Sequence, residues 1–224
     1  MNRKILISAM VIGLVCALIG AGVYAVFSDT ETSTGNTFTA GTLNLVPSTS
    51  GTGPAGKYTP TAGGDGVNGK VVFIKLAPGD SGSITWTLQN DGNLDGTLTM
   101  PSTVTFDENG SNEPESAVGS NNGGSNGDLD EYMGVRLKRD GNYILGDASH
   151  YVPFSGLEAV LDAESRSLTA SGTLPYVLEW EIASDVKGAG TDGEFGTVDD
   201  VDEDDNIIQS DKATLDITFT LTQS

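Results

Sequence analysis

The sequence predicts an all-β fold, an antiparallel β-sandwich with long acidic and glycine-rich loops, preceded by a cleavable signal peptide. Three observations carry this expectation. Apolar residues alternate with polar ones in short runs. The runs are bounded by Gly, Asn, Asp or Pro. The chain also holds 30 glycines against 7% aromatic residues, which suits loop-rich β structure better than helices.

The first element is the export signal. Arg3 and Lys4 lead into an uncharged apolar run from Ile5 to Phe27, with small residues around Ala25. A basic tip, an apolar stretch and small side chains at Val23 and Ala25 place the expected cleavage between Ala25 and Val26. The alternative is an uncleaved anchor, since the run is long enough to cross a bilayer; Gly13, Gly20, Gly22 and the A-x-A-like end favour cleavage. No Lys-Gly or Arg-Gly pair precedes Ile5, so a type IV pilin signal is rejected.

Strands follow. Phe38–Leu45 is expected as the first of them. Ile84, Trp86 and Leu88 alternate with Ser83, Thr85 and Thr87, and both tryptophans, Trp86 and Trp180, fall on the apolar parity, in core positions rather than on a carbohydrate platform. Leu98, Met100, Val104 and Phe106 continue one parity after the turn-rich stretch Asn90–Gly96. Leu174, Tyr176, Leu178, Trp180 and Ile182 form one face opposite Glu179 and Glu181, and Leu215, Ile217, Phe219 and Leu221 form the last. Lys70–Ala77, Tyr132–Arg139 and Tyr151–Phe154 are weaker strand patterns, and Leu157–Ser165 reads as a helical turn or two. Strands of this kind have one wet and one buried face, as in a sandwich. The stretches Glu108–Asp128 and Ala183–Asp205 are expected as surface loops.

Composition excludes several functions. The formal charge is −20, and losing residues 1–25 removes Arg3 and Lys4 but no acid, so nucleic acid would be repelled. Cys16 is the only cysteine and lies in the signal, which leaves the exported chain without disulfide or thiol chemistry.

Several segments resemble the TasA/camelysin family, which includes archaeal bundling pilins. The apolar signal runs into Phe27-Ser-Asp-Thr-Glu and then Asn36-Thr-Phe-Thr-Ala-Gly-Thr-Leu-Asn-Leu. Pro78-Gly79-Asp80, an alternating strand and Asn90-Asp-Gly-Asn-Leu-Asp-Gly resemble the family's middle segment. Asn206-Ile-Ile-Gln209-Ser-Asp211 with the strand to Gln223 resembles its ending. The resemblance implies a jelly-roll sandwich, a dedicated signal peptidase, and self-assembly into extracellular fibres by donor-strand complementation. Residues 1–25 would be signal, 26–34 the donor strand and 35–224 the sandwich. Val26 and Phe27 would be apolar plugs, with Thr30, Thr32 and Thr34 as β-formers, in a neighbouring subunit's sheet. A head-to-tail insertion of this kind propagates as an open filament. The competing expectation is a frayed terminus.

The acidic run 191–205 is the second chemical feature. Asp192, Glu194, Asp199, Asp200, Asp202 and Asp204 surround glycine turns and supply the oxygen ligands that Ca²⁺ takes, although the pattern is no EF-hand. The alternative is a solvated loop that aids solubility. Asn109-Gly-Ser111 is a glycosylation sequon. Camelysin-type relatives have been classed as metallopeptidases, but His150 is the single histidine and no H-E-x-x-H or Gly-x-Ser-x-Gly occurs. His150 is expected on the surface. The reading is therefore a secreted, non-enzymatic, self-assembling subunit that touches membrane only through its uncleaved signal. A camelysin-type peptidase and a monomeric calcium-stabilised adhesin are the alternatives.

Overall fold

The structure, a computed structural model, describes residues 3, 4, 7, 10–14, 16, 41–62, 68–108 and 127–223. Two compact units divide the chain, Met1–Ala40 and Gly41–Ser224. The described residues of the first unit are helical. Ile7, Met10, Val11 and Leu14 stand at the spacing of one helix face and are exposed. Among the described residues no helix is long and apolar enough to cross a membrane.

The second unit is all-β, and its strand pairs are antiparallel. One sheet runs in the order β1 (Leu45–Thr52), β4 (Ser81–Asn90), β11 (Thr173–Glu181), β7 (Gly134–Arg139), β8 (Asn142–Leu145), with the short β9 (Val152–Pro153) also on β7. A second runs β2 (Tyr58–Ala62), β3 (Asn68–Ile74), β14 (Asp211–Thr218), β6 (Ser102–Glu108). A third joins β10 (Ser165–Leu168), β5 (Gly96–Thr99) and β15 (Thr220–Gln223). β12 (Lys187–Gly188) and β13 (Val201–Asp202) form a short ladder of their own.

The alternating residues build one core between the first two sheets. Ile84, Trp86 and Leu88 of β4 and Tyr176, Leu178 and Trp180 of β11 are buried, as are Val71 and Phe73 of β3 and Ala213, Leu215 and Ile217 of β14. Aromatic rings join the layers: Phe73 meets Trp180 edge-on at 5.4 Å, Trp180 touches Tyr58 at 6.0 Å, and Trp86 lies 6.5 Å from Phe219. Both tryptophans are core residues.

Two long alternating runs prove to be pairs of strands. The run Leu98–Phe106 splits at Pro101 into β5 and β6, which belong to different sheets. Opposite it, Leu215–Leu221 splits at Phe219 into β14 and β15, and the Thr218 N–H donates to Pro101 O at 2.8 Å across the kink. Proline has no N–H to continue a ladder. The parity of buried positions passes through both bends unchanged, so periodicity alone cannot reveal them.

Of the expected first strand Phe38–Leu45, residues 38–40 lie outside the described residues and 41–44 form no strand; the first described strand is Leu45–Thr52. Pro47 and Gly51 give it the composition of a turn, yet pairing from Leu45 opposite Asn90 to Thr52 opposite Ser83 makes it a strand. β2 likewise carries Pro60 and is terminal in its sheet, where proline is tolerated. The expected helical segment forms as α2 (Leu157–Asp162), and α1 (Leu129–Tyr132) precedes β7.

The helix α2 has a second task at the edge strand β6. Leu157 and Leu161 point into the core. From the same helix, Glu158 Oε2 accepts the Val104 N–H at 3.0 Å and Asp162 Oδ1 accepts the Ser102 N–H at 2.7 Å. Carboxylates thus occupy edge donors that would otherwise invite another strand.

Removing the ring that joins the sheets tests this account of the core. Trp180→Ala should cost about 3–5 kcal/mol in denaturant unfolding, whereas the fully exposed Val198→Ala should stay within about 0.5 kcal/mol.

Candidate functional site

Within the acidic stretch the ladder of Lys187 with Asp202 and Gly188 with Val201 encloses a reversal at residues 189–200. Gly190, Gly193 and Gly196 take left-handed φ values of 63°, 74° and 87°, which explains the glycine at each turn. The carboxylates fold back on the loop itself. Asp199 Oδ2 accepts the Thr191 N–H at 2.8 Å and its hydroxyl at 2.7 Å, while Asp199 Oδ1 accepts the Thr197 hydroxyl at 2.8 Å. Asp200 Oδ2 accepts the Gly196 N–H at 2.8 Å. Asp192 Oδ1 accepts the Glu194 N–H at 2.9 Å, and Asp204 Oδ1 accepts the Asn206 N–H at 3.0 Å. Asp202 pairs with Lys187. The hydroxyls of Thr191 and Thr197, then its backbone bond to Thr191, hold the Asp199 carboxyl well below the usual carboxylate range.

The six carboxylates singled out from the sequence are therefore distributed along the loop. Among the described residues no three His, Cys, Asp or Glu side chains are grouped to hold a metal ion. Asp199 and Asp200 brace the loop through Thr191, Gly196 and Thr197. The role of Thr191 and Thr197 was missed from the sequence; a Thr two residues before an Asp beside a glycine is the turn signal that points to it.

His150 lies on the surface beside this loop, about a third exposed. Its Nδ1 is 3.2 Å from Asp147 Oδ2 and 3.7 Å from Glu194 Oε2. Asp147 also accepts the N–H groups of Ser149 and His150, at 2.6 and 2.8 Å. A backbone bridge between Tyr151 and Phe195 fixes the acidic loop against the same segment. A cavity of about 540 Å³ opens on the other side of the loop, lined by Glu131, Tyr132, Gly190, Asp199 and Glu203. Burial pushes the Tyr132 hydroxyl up to about 12, with Glu203 and Glu131 adding to the effect. Its wall also carries the hydroxyls of Ser155 and Thr191, the latter donating to Asp199 Oδ2 at 2.7 Å.

At the amino-terminal end of the body, β1 is the terminal strand of its sheet. Leu45, Pro47 and Thr49 are half-buried, while Val46, Ser48 and Ser50 are exposed. In contrast to β6, no carboxylate of a helix is bonded to its N–H groups among the described residues. The cleavage pair Ala25 and Val26, the donor residues Val26, Phe27, Thr30, Thr32 and Thr34, and the sequon Asn109 all lie outside the described residues.

Residues 1–51 match the family of camelysin metallo-endopeptidases. Over that stretch the chain is similar to the camelysin family. The match covers the apolar run, the segment after it and nearly all of β1. No curated protein matches, and neither does any solved structure.

The family's description implies a metal, and the donors present do not fit a hydrolytic zinc centre. Such a site takes three protein ligands and keeps one position open. Here His150 is the single histidine, and the carboxylate nearest to it, Asp147, is already bonded to two backbone N–H groups.

The His150 contacts set a pH dependence. Its bond to Asp147, with Glu194 and Asp192 nearby, raises it above its ordinary 6.5. A raised folded value stabilises fully below the unfolded value, and the contribution fades as pH rises through the folded one. The NMR titration midpoint of His150 should therefore exceed 6.5, and His150→Gln should flatten stability over that window. A midpoint at or below 6.5 would contradict the contacts.

Proposed function

We propose that this chain is an exported structural subunit that assembles into extracellular filaments through its amino-terminal segment. The observation that carries the reading is where the family match falls. Residues 1–51 comprise the signal, the segment 26–34 and most of an edge strand. The shared part supports reading it as an export device joined to a strand-forming arm, and it leaves out the acidic loop and His150.

The finer reading follows from edge physics. An extended segment added to a sheet edge gains main-chain hydrogen bonds, while alternate side chains fix its register. In this proposal Val26–Thr34 is the donor strand, freed by cleavage after Ala25, and the antiparallel body is a jelly roll with an acceptor edge. The helix α2 blocks β6 with Glu158 and Asp162, which steers pairing toward other edges. The acidic loop serves as a solvating surface, and among the described residues no group of three His, Cys, Asp or Glu side chains supports the peptidase reading.

Mature protein beginning at Val26 should form threads visible by negative-stain microscopy. Deleting residues 26–34 should leave a monomer in size-exclusion chromatography. Normal polymerisation of the deletion variant would sink the donor-strand reading. Protein hydrolysis by the purified chain, abolished by a chelator, would favour the peptidase instead.

A further inference from the structure

Where the chain enters the sandwich, residues 41–44 form no strand but are bonded to the turn that follows β4. The Thr42 N–H donates to Asn93 Oδ1 at 2.7 Å. In return the N–H groups of Asn93 and Leu94 donate to Thr42 O at 3.0 and 3.2 Å. The Asp91 N–H donates to Asn44 O at 2.7 Å. The approach is tight: a Cβ on Gly92 would lie 2.2 Å from Thr42 O, and one on Gly41 would lie 2.4 Å from the Leu94 side chain.

The turn is itself held from inside. Asn90 is fully buried, and its Nδ2 donates to Leu94 O at 2.8 Å, Thr169 O at 3.2 Å and Leu168 O at 3.3 Å. Its Oδ1 accepts the Gly92 N–H at 3.0 Å, and its own N–H donates to Gly172 O at 2.9 Å. Asp95 Oδ1 accepts the Ala170 N–H at 2.8 Å. The entering chain is thereby linked through one turn to the connection between β10 and β11. A buried amide satisfied on every side rigidifies what it holds.

We propose that the turn Asn90–Gly96 is an anchor that fixes the point at which the amino-terminal arm leaves the sandwich, with Asn93 as its positioning residue and Asn90 as its buried support. In a filament held together by that arm, any pull between subunits enters the body at Thr42 and passes through this turn into β4 and β11. This consequence rests on the filament reading; the anchor itself does not. The anchor also makes two segments distant in sequence, Gly41–Asn44 and Asn90–Gly96, one structural unit.

Hydrogen exchange on the mature chain tests the anchor without reference to assembly. Asn93→Ala removes the acceptor of the Thr42 N–H, and exchange at Thr42 and Asp91 should rise on the order of tenfold while β4 and β11 stay protected. Asn93→Asp keeps an acceptor oxygen and should restore protection, whereas Gly92→Ala should release the same residues by steric contact. Unchanged exchange at Thr42 in Asn93→Ala would overturn the anchor. In assembly followed by light scattering, Asn93→Ala should slow thread growth several-fold and Asn93→Asp should not. Faster exchange with unaltered growth would overturn the role in assembly. Failure of the unmodified chain to form threads would count against the filament reading, with exchange still deciding the anchor.

Discussion

The fold depends on one ladder, the antiparallel pairing of β4 with β11 from Thr173 opposite Gln89 to Glu181 opposite Ser81. It sets Trp86, Tyr176 and Trp180 on the same face, and the two tryptophan rings reach Phe219 and Phe73. It is also the inner pair of the sheet, with β1 on one flank and β7 on the other. A slip of β11 by one residue against β4 would turn Tyr176 and Trp180 to the opposite face of the sheet.

Both ends of the ladder are held by turns rich in Gly, Asn and Asp. At one end Gly79, at φ 85°, donates its N–H to Ile182 O and Ala183 O, while the Ile182 N–H donates to Asp80 O. Asp80 Oδ2 accepts the Ala77 N–H at 2.7 Å and pairs with Lys57 at 2.6 Å. At the other end Asn90 ties β4 to the connection before β11. A third such point is Asp211, whose Oδ2 accepts the Asp128 N–H at 2.5 Å and so closes the long excursion before α1. The turns around Pro78–Asp80, Asn90–Gly96 and Asp211 are thus staples that fix loop ends to strands.

The acidic loop follows the same principle. Its carboxylates accept from backbone N–H groups and threonine hydroxyls within the loop, and in that way they shape the loop while still contributing negative charge to the surface. The density of Asp and Glu was visible in the sequence, but their partners were not. A list of carboxylates is compatible with a cation site and with a set of turn braces alike. The positions of Thr191, Thr197 and the backbone donors are set only by folding.

Much of this protein was legible in the order of residues. Period-two alternation identified the all-β class, the inner strands β4 and β11, and the burial of Trp86 and Trp180, because a residue's face in a pleated strand is a local property. The spacing of Leu157 and Leu161 marked the helix for a similar reason. The strands β1 and β2, with Pro47, Gly51 and Pro60, were hidden, since what makes them strands is a partner far away in sequence. The bends at Pro101 and Phe219 were hidden because parity survives a change of sheet. The anchor at Thr42 required tertiary structure most of all: its two halves are about fifty residues apart, and only folding brings a buried amide beneath the turn that grips the entering chain.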